Sequence, residues 1–161
     1  MSLVMNTWRI VNYPKYDIDQ LTHDAYTAKY EYYKTLKGNQ TQQGYCRTFD
    51  KYYGLNINPE LKYGGAIFVK FNAKAIIETH TDDHKGRSTV IAFPLSPDWP
   101  HFAPITYNGE NIHYTQQPLA LNTQVEHSVT NNNYDRYSYQ LCFANTIDEI
   151  KELDLQNKIF V

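Results

Sequence analysis

Cysteine is scarce. Cys46 and Cys142 are the only two in 161 residues, and they stand far apart in the chain. They form no CxxC and no zinc-ribbon spacing, which excludes a disulfide framework and a cysteine-based metal site. Two reduced thiols fit a cytoplasmic protein. Long apolar runs are missing as well. Nothing approaches the ~18 residues of a membrane-spanning helix, so no integral membrane segment and no membrane partner are expected. Neither sign of charge dominates: 15 Lys and Arg against 17 Asp and Glu leave a net charge of -2. A general electrostatic binder of nucleic acid carries a basic excess, so a general nucleic-acid partner is not expected, while a nucleic-acid substrate reached through a local patch stays open. Residues 1–12 lack a basic stretch followed by an apolar core, so no secretory signal is expected there. No repeat, charge block or low-complexity linker interrupts the chain. The expectation is a single domain over residues 1–161, large enough to bury a core without metal or disulfide.

What is abundant is tyrosine, 15 residues of it, and tyrosine favours strands. The first segment, residues 1–63, reads as a helical and irregular layer. Asp17 or Asp19 caps a helix expected from about Ile18 to Lys37, with Leu21, Ala25, Ala28, Tyr32 and Leu36 on one face and Gly38 as its stop. Residues 39–63 read as polar and irregular. From Gly64 the period changes to β, giving a core over residues 64–143 and a tail over 144–161. Ala66–Phe71, Ala75–His80 and Ser88–Leu95 are dense strand signals. Ile105–Tyr107 and Ile112–Tyr114 flank Asn108-Gly109, a hairpin turn signal. Pro118–Val129 and Tyr134–Phe143 read as two long strands, and Ile147–Leu155 as a short helix. The pattern predicts a mainly-β sandwich or jelly roll with an N-terminal helical layer.

Three of these residues suit a metal. His80 and Asp82 end an apolar strand, and residues i and i+2 of a strand point to one face about 6.5 Å apart. His127 lies on a later strand that a jelly roll can return beside them. Two histidines and a carboxylate on one face leave the remaining coordination positions open, as in non-haem Fe(II) oxygenases. His84 falls in a loop. Arg136 and Ser138 share a face of the last strand, where a guanidinium fork and a hydroxyl suit an organic carboxylate. Tyr137, Tyr139, Leu141 and Phe143 take the opposite face and are expected to pack on the N-terminal helix.

His80-Thr-Asp82, then His127, then Arg136-x-Ser138 resembles the Fe(II)- and 2-oxoglutarate-dependent dioxygenases, over roughly residues 64–143. The texture is closest to the aspartyl/asparaginyl β-hydroxylase-like and prolyl hydroxylase-like branches. The resemblance implies a double-stranded β-helix, a cupin-like jelly roll. It implies Fe(II) held by His80, Asp82 and His127, with 2-oxoglutarate and O2 as cosubstrates. Arg136 and Ser138 would bind the far carboxylate of 2-oxoglutarate, and Arg87 a carboxylate of cosubstrate or substrate. The implied reaction hydroxylates an unactivated C–H bond of an amino acid or a peptide or protein side chain, releasing succinate and CO2, with a small metabolite or a nucleobase as the open alternatives. Two other readings stay open: a metal-binding cupin-type jelly roll with non-oxidative chemistry, and a non-catalytic binding module.

Overall fold

The computed structural model of the chain describes residues 5–34, 42–48, 53–82, 87–95 and 99–161. Among them the order is β1 (Thr7–Arg9), α1 (Ile18–Thr27), β2 (Glu31–Lys34), β3 (Gln42–Thr48), β4 (Tyr63–Phe71), β5 (Ile76–His80) and β6 (Thr89–Pro94). There follow β7 (Ile105–Tyr107), β8 (Glu110–Ile112), β9 (Leu119–Asn122), β10 (His127–Thr130), β11 (Arg136–Phe143) and α2 (Ile147–Leu155). The strands form two sheets. One has seven, in the order β1-β9-β6-β11-β4-β3-β2, and the other four, in the order β5-β10-β7-β8. Every strand pairing is antiparallel.

Two cores follow from the two faces of the large sheet. On β11, Tyr139, Leu141 and Phe143 point outward and join Leu21 and Ala25 of α1 and Ile147 and Ile150 of α2. Tyr137 packs on the same side, its ring edge-on to Tyr26 at 4.7 Å. The helix-facing side of this strand is therefore the one its alternation predicts. The opposite face, with Cys142, meets the small sheet in a second core that includes Val69, Ile77, Val90 and Val129. Strand β6 is buried along its whole length. Val90 and Ala92 serve the inner core, Ile91 and Phe93 the outer, which is why it reads as an unbroken apolar run. Each buried Val, Ile, Leu or Phe among them contributes about 1.5–3 kcal/mol of transfer free energy.

Four expectations change at this level. Helix α1 is capped by Asp17, whose Oδ1 accepts from Gln20 N, but it ends at Thr27 rather than near Lys37. Ala28 is extended, and the Tyr30 hydroxyl donates to the carbonyl of Ala25, satisfying a last-turn acceptor. The chain then forms β2, where tertiary pairing with β3 overrides the helical spacing of the apolar residues. Residues 42–48, expected to be irregular, form β3, which bridges β2 and β4. The run Pro118–Val129, expected as one strand, is two strands in different sheets. Asn122 Oδ1 accepts from Gln124 N, turning the chain between them. The second half of the hairpin, expected at Ile112–Tyr114, pairs earlier, over Glu110–Ile112. Its turn is as expected: Asn108 and Gly109 both take positive φ, 47° and 83°. The terminal helix is present as α2, with Thr146 accepting from Glu149 N at its start.

Candidate metal centre

The turn after β9 builds the site. It drops β10 into the small sheet beside β5, with His127 directly opposite His80. Cross-strand partners share a face, and the two imidazoles lie 4.5 Å apart, centroid to centroid. Asp82, just beyond β5, is held against the same turn: its N–H donates to the carbonyl of Thr123. Its Oδ1 lies 3.3 Å from His80 Nε2 and 3.6 Å from His127 Nε2. All three ligand atoms fall within 4.8 Å of one another.

The ring orientations are fixed by the backbone. His80 Nδ1 lies 2.6 Å from the carbonyl of Glu78, and His127 Nδ1 lies 2.8 Å from that of Val125. A carbonyl only accepts, so each Nδ1 carries the proton. In the neutral ring Nε2 is then a bare lone pair, the tautomer that ligates metal. Three acceptors facing one point repel each other until a cation or a proton sits between them. When a proton rather than a cation sits there, burial penalises the Asp82 carboxylate, yet hydrogen bonds from the His127 and His80 rings and the charge of Arg87 outweigh it. They hold its carboxyl well below the usual range. His80 is shifted up, chiefly by its hydrogen bond to Asp82. Its side chain is 40% exposed against 15% for His127 and 17% for Asp82, so the site opens past His80.

This triad borders a cavity of about 460 Å³ between the sheets, with Ile77, Val90, Leu121 and Val129 as apolar walls and Thr123 and Gln140 as polar ones. A wider groove of about 890 Å³ runs outside along α1 and Pro94–Leu95, remote from these groups. Arg136 is 2% exposed. Its guanidinium lies 4.1 Å over Tyr114, 5.1 Å over Phe71 and 5.9 Å over Phe102. Nη1 donates to the carbonyl of Ala103, while Nη2 has no hydrogen-bond partner among the described residues. Asp135, its sequence neighbour, is engaged elsewhere, accepting from Ala73 N. Burial pushes the guanidinium down from its ordinary pKa, with Tyr114 opposing the shift. Arg136 does not itself reach the cavity surface; Phe71 and Tyr114, which clasp it, do. Ser138 is buried on the same face and accepts from Gln140 Nε2. The carboxylate that Arg87 meets is Asp82: Nε lies 2.9 Å from Oδ2, and Nη2 donates to Gln140 Oε1. His84 lies outside the described residues.

Sequence reasoning did not single out Tyr107, Tyr114 or Gln140 for the site. Tyr107 lies against His127, 5.6 Å between ring centres, and its hydroxyl donates to the carbonyl of Asn122. The Ile105–Tyr107 pattern signalled a strand but not which ring it would turn inward. Gln140 was visible as the third polar residue on the Arg136 face.

The residues fit a divalent metal and an anion together. Two imidazole nitrogens and a carboxylate with open positions suit non-haem Fe(II). A buried guanidinium with a free N–H is incomplete without an acceptor.

No protein-family model matches the chain, and no curated protein sequence does. Solved structures match by fold. A prolyl hydroxylase from Trichoplax adhaerens, in complex with a hypoxia inducible factor oxygen degradation domain peptide fragment, superposes with TM-score 0.60 at 10% identity, covering 92% of this chain and 86% of that one. The collagen prolyl hydroxylase of Paramecium Bursaria Chlorella virus-1, as its 2OG complex, gives 0.51 at 9% identity, covering 80% and 89%. This chain thus has a two-sheet β fold resembling the double-stranded β-helix of the prolyl hydroxylases, and within it His80, Asp82 and His127 form a group that could hold a metal ion.

Proposed function

We propose that the protein is an Fe(II)- and 2-oxoglutarate-dependent hydroxylase acting on an unactivated C–H bond of an amino acid, free or within a peptide. One observation carries the reading: a cavity in this fold has a His-Asp-His ligand set on its border and, behind its aromatic lining, a buried arginine with no carboxylate partner among the described residues. Iron with bound 2-oxoglutarate supplies O2 activation, with succinate and CO2 as the cosubstrate's products. The chain's own part is binding, orientation and exclusion of water. His80 and His127 offer Nε2 because Nδ1 is tied to their own strands. Asp82 offers Oδ1. Arg136 takes the far carboxylate of 2-oxoglutarate, with Ser138 beside it and the rings of Tyr114 and Phe71 yielding to admit it. The apolar walls keep water from the reacting centre. No side chain is assigned as general base. The peptide bound to the Trichoplax enzyme supports a peptide as substrate class.

The test is anaerobic. Fe(II) followed by 2-oxoglutarate should give a weak visible charge-transfer band that neither gives alone. His80→Ala should abolish it and Arg136→Gln should weaken it. Metal binding without the band would overturn the reading in favour of a cupin-type site with non-oxidative chemistry. Absence of metal binding would leave a binding module.

A further inference from the structure

The geometry points to Arg87 and Gln140 as a positioning strut that fixes how Asp82 meets the metal; the inference rests on the metal site proposed above. Asp82 has two oxygens with different neighbours. Oδ1 faces both histidine Nε2 atoms, and Oδ2 faces the Arg87 guanidinium at 2.9 Å. A metal on the Oδ1 side and the guanidinium on the Oδ2 side lie on opposite sides of one carboxylate. With Oδ2 engaged, Asp82 gives one ligand atom, and the site keeps its remaining positions for a chelating cosubstrate and O2.

Arg87 is itself braced. Its Nη2 donates to Gln140 Oε1 at 2.8 Å, and Gln140 Nε2 donates to Ser138 Oγ at 3.3 Å. Arginine only donates, so it selects the amide orientation that leaves Nε2 for the serine. Ser138 and Gln140 share a face of β11 with Arg136. The strand that carries the anion-binding arginine is thereby connected to a metal ligand. The backbone presets the same alignment. Thr123 accepts from the N–H of Asp82, and its hydroxyl donates to the carbonyl of Arg87. Gln124 Nε2 lies 3.2 Å from both the Asp82 and Arg87 carbonyls. Residues 82 and 87 are thus fastened to one turn, and Arg87 Nε is buried beside Oδ2 in an ion pair whose N–H is not aligned on the oxygen. Partners that orient metal ligands are typically worth 10–100-fold in metal affinity or activity.

The experiment titrates Co(II), a visible stand-in for Fe(II), into wild type, Arg87→Met, Arg87→Lys, Gln140→Leu and the Arg87→Met/Gln140→Leu double variant, with a thermal melt of each metal-free protein. Arg87→Met should weaken Co(II) binding by about 10-fold or more and alter the visible bands as Oδ2 becomes free to ligate. Gln140→Leu should do the same to a lesser degree. The double variant should match Arg87→Met, because Gln140 acts only through the arginine. Arg87→Lys keeps the charge without the fork and should fall between. A merely structural role would lower the melting temperature and leave the spectrum of the folded protein alone. Wild-type affinity and spectrum in Arg87→Met would overturn the strut, as would unchanged Co(II) binding with weakened 2-oxoglutarate binding. Wild-type protein that binds no Co(II) would overturn the metal site and the strut together.

Discussion

Replacing Arg136 by methionine should make the metal-free, ligand-free protein more stable while destroying its response to 2-oxoglutarate. The guanidinium is 2% exposed and has no carboxylate partner among the described residues. An ion taken out of water costs several kcal/mol even after relaxation. Against this stand its faces on Tyr114, Phe71 and Phe102, worth about 2 kcal/mol together when desolvated. The bond from Nη1 to the Ala103 carbonyl adds ~1.5 kcal/mol or somewhat more. The sum leaves the charge a net burden of ~1–2 kcal/mol. Methionine has similar reach, no charge, and favourable sulfur contacts with rings. Arg136→Met should therefore raise the melting temperature by about 2–8 °C at this chain length. The same scan repeated with 2-oxoglutarate and Mn(II) at about 100 times the dissociation constant should stabilise wild type by ~2.7 kcal/mol and leave the variant unmoved. Differential scanning calorimetry reads both numbers. A variant destabilised by more than ~1 kcal/mol would show that the aromatic clasp compensates the charge. An undiminished 2-oxoglutarate shift would remove Arg136 from the anion site.

Three further outcomes follow from other parts of the molecule. Asp154 is fully buried and accepts from Trp8 Nε1, Val11 N and Asn12 N, pinning the N-terminal segment to α2. Asp154→Ala should cost about 3 kcal/mol by urea unfolding, with Asp154→Asn costing less; a loss below ~1 kcal/mol would show that water replaces the carboxylate. Burial raises the phenol pKa of Tyr107 and of Tyr114, the latter opposed by Arg136. The unfolded chain sheds these protons near pH ~10 while the fold keeps them, so their contribution is complete below that pH and falls as pH rises above it. Urea midpoints at pH 8, 10 and 11 should fall less steeply in Tyr107→Phe than in wild type, and parallel declines would refute the linkage. Asp82→Asn leaves an amide where the ligand set needs a carboxylate. It should abolish Co(II) binding in a titration, and retained affinity would remove Asp82 from the ligand set.

The residues of the candidate site were more legible than their geometry, and the reason lies in what each depends on. His80 and Asp82 are two positions apart on a strand signal, so their common face follows from local period alone. His127 needed the topology. Its register opposite His80 depends on the break after Asn122, and there Pro118–Val129 reads as one strand because residues 123–126 contain no glycine or proline to mark the turn. The helical spacing from Leu21 to Leu36 was real, but Glu31–Lys34 within it form a strand. Tyr32 and Tyr33 suit a strand as well as a helix face, and β3 supplied the pairing that decided between them. The case of Arg136 goes furthest. Its place on β11 could be read from alternation, but its isolation could not. Tyr114, Phe71 and Phe102 reach it from three separate parts of the chain, and no sequence period links them. Asp135 sits beside it in sequence and turns away to cap Ala73. A pattern can nominate an arginine for a carboxylate; only the packing reveals that none of the described residues supplies one, and the proposed anion site rests on that deficit.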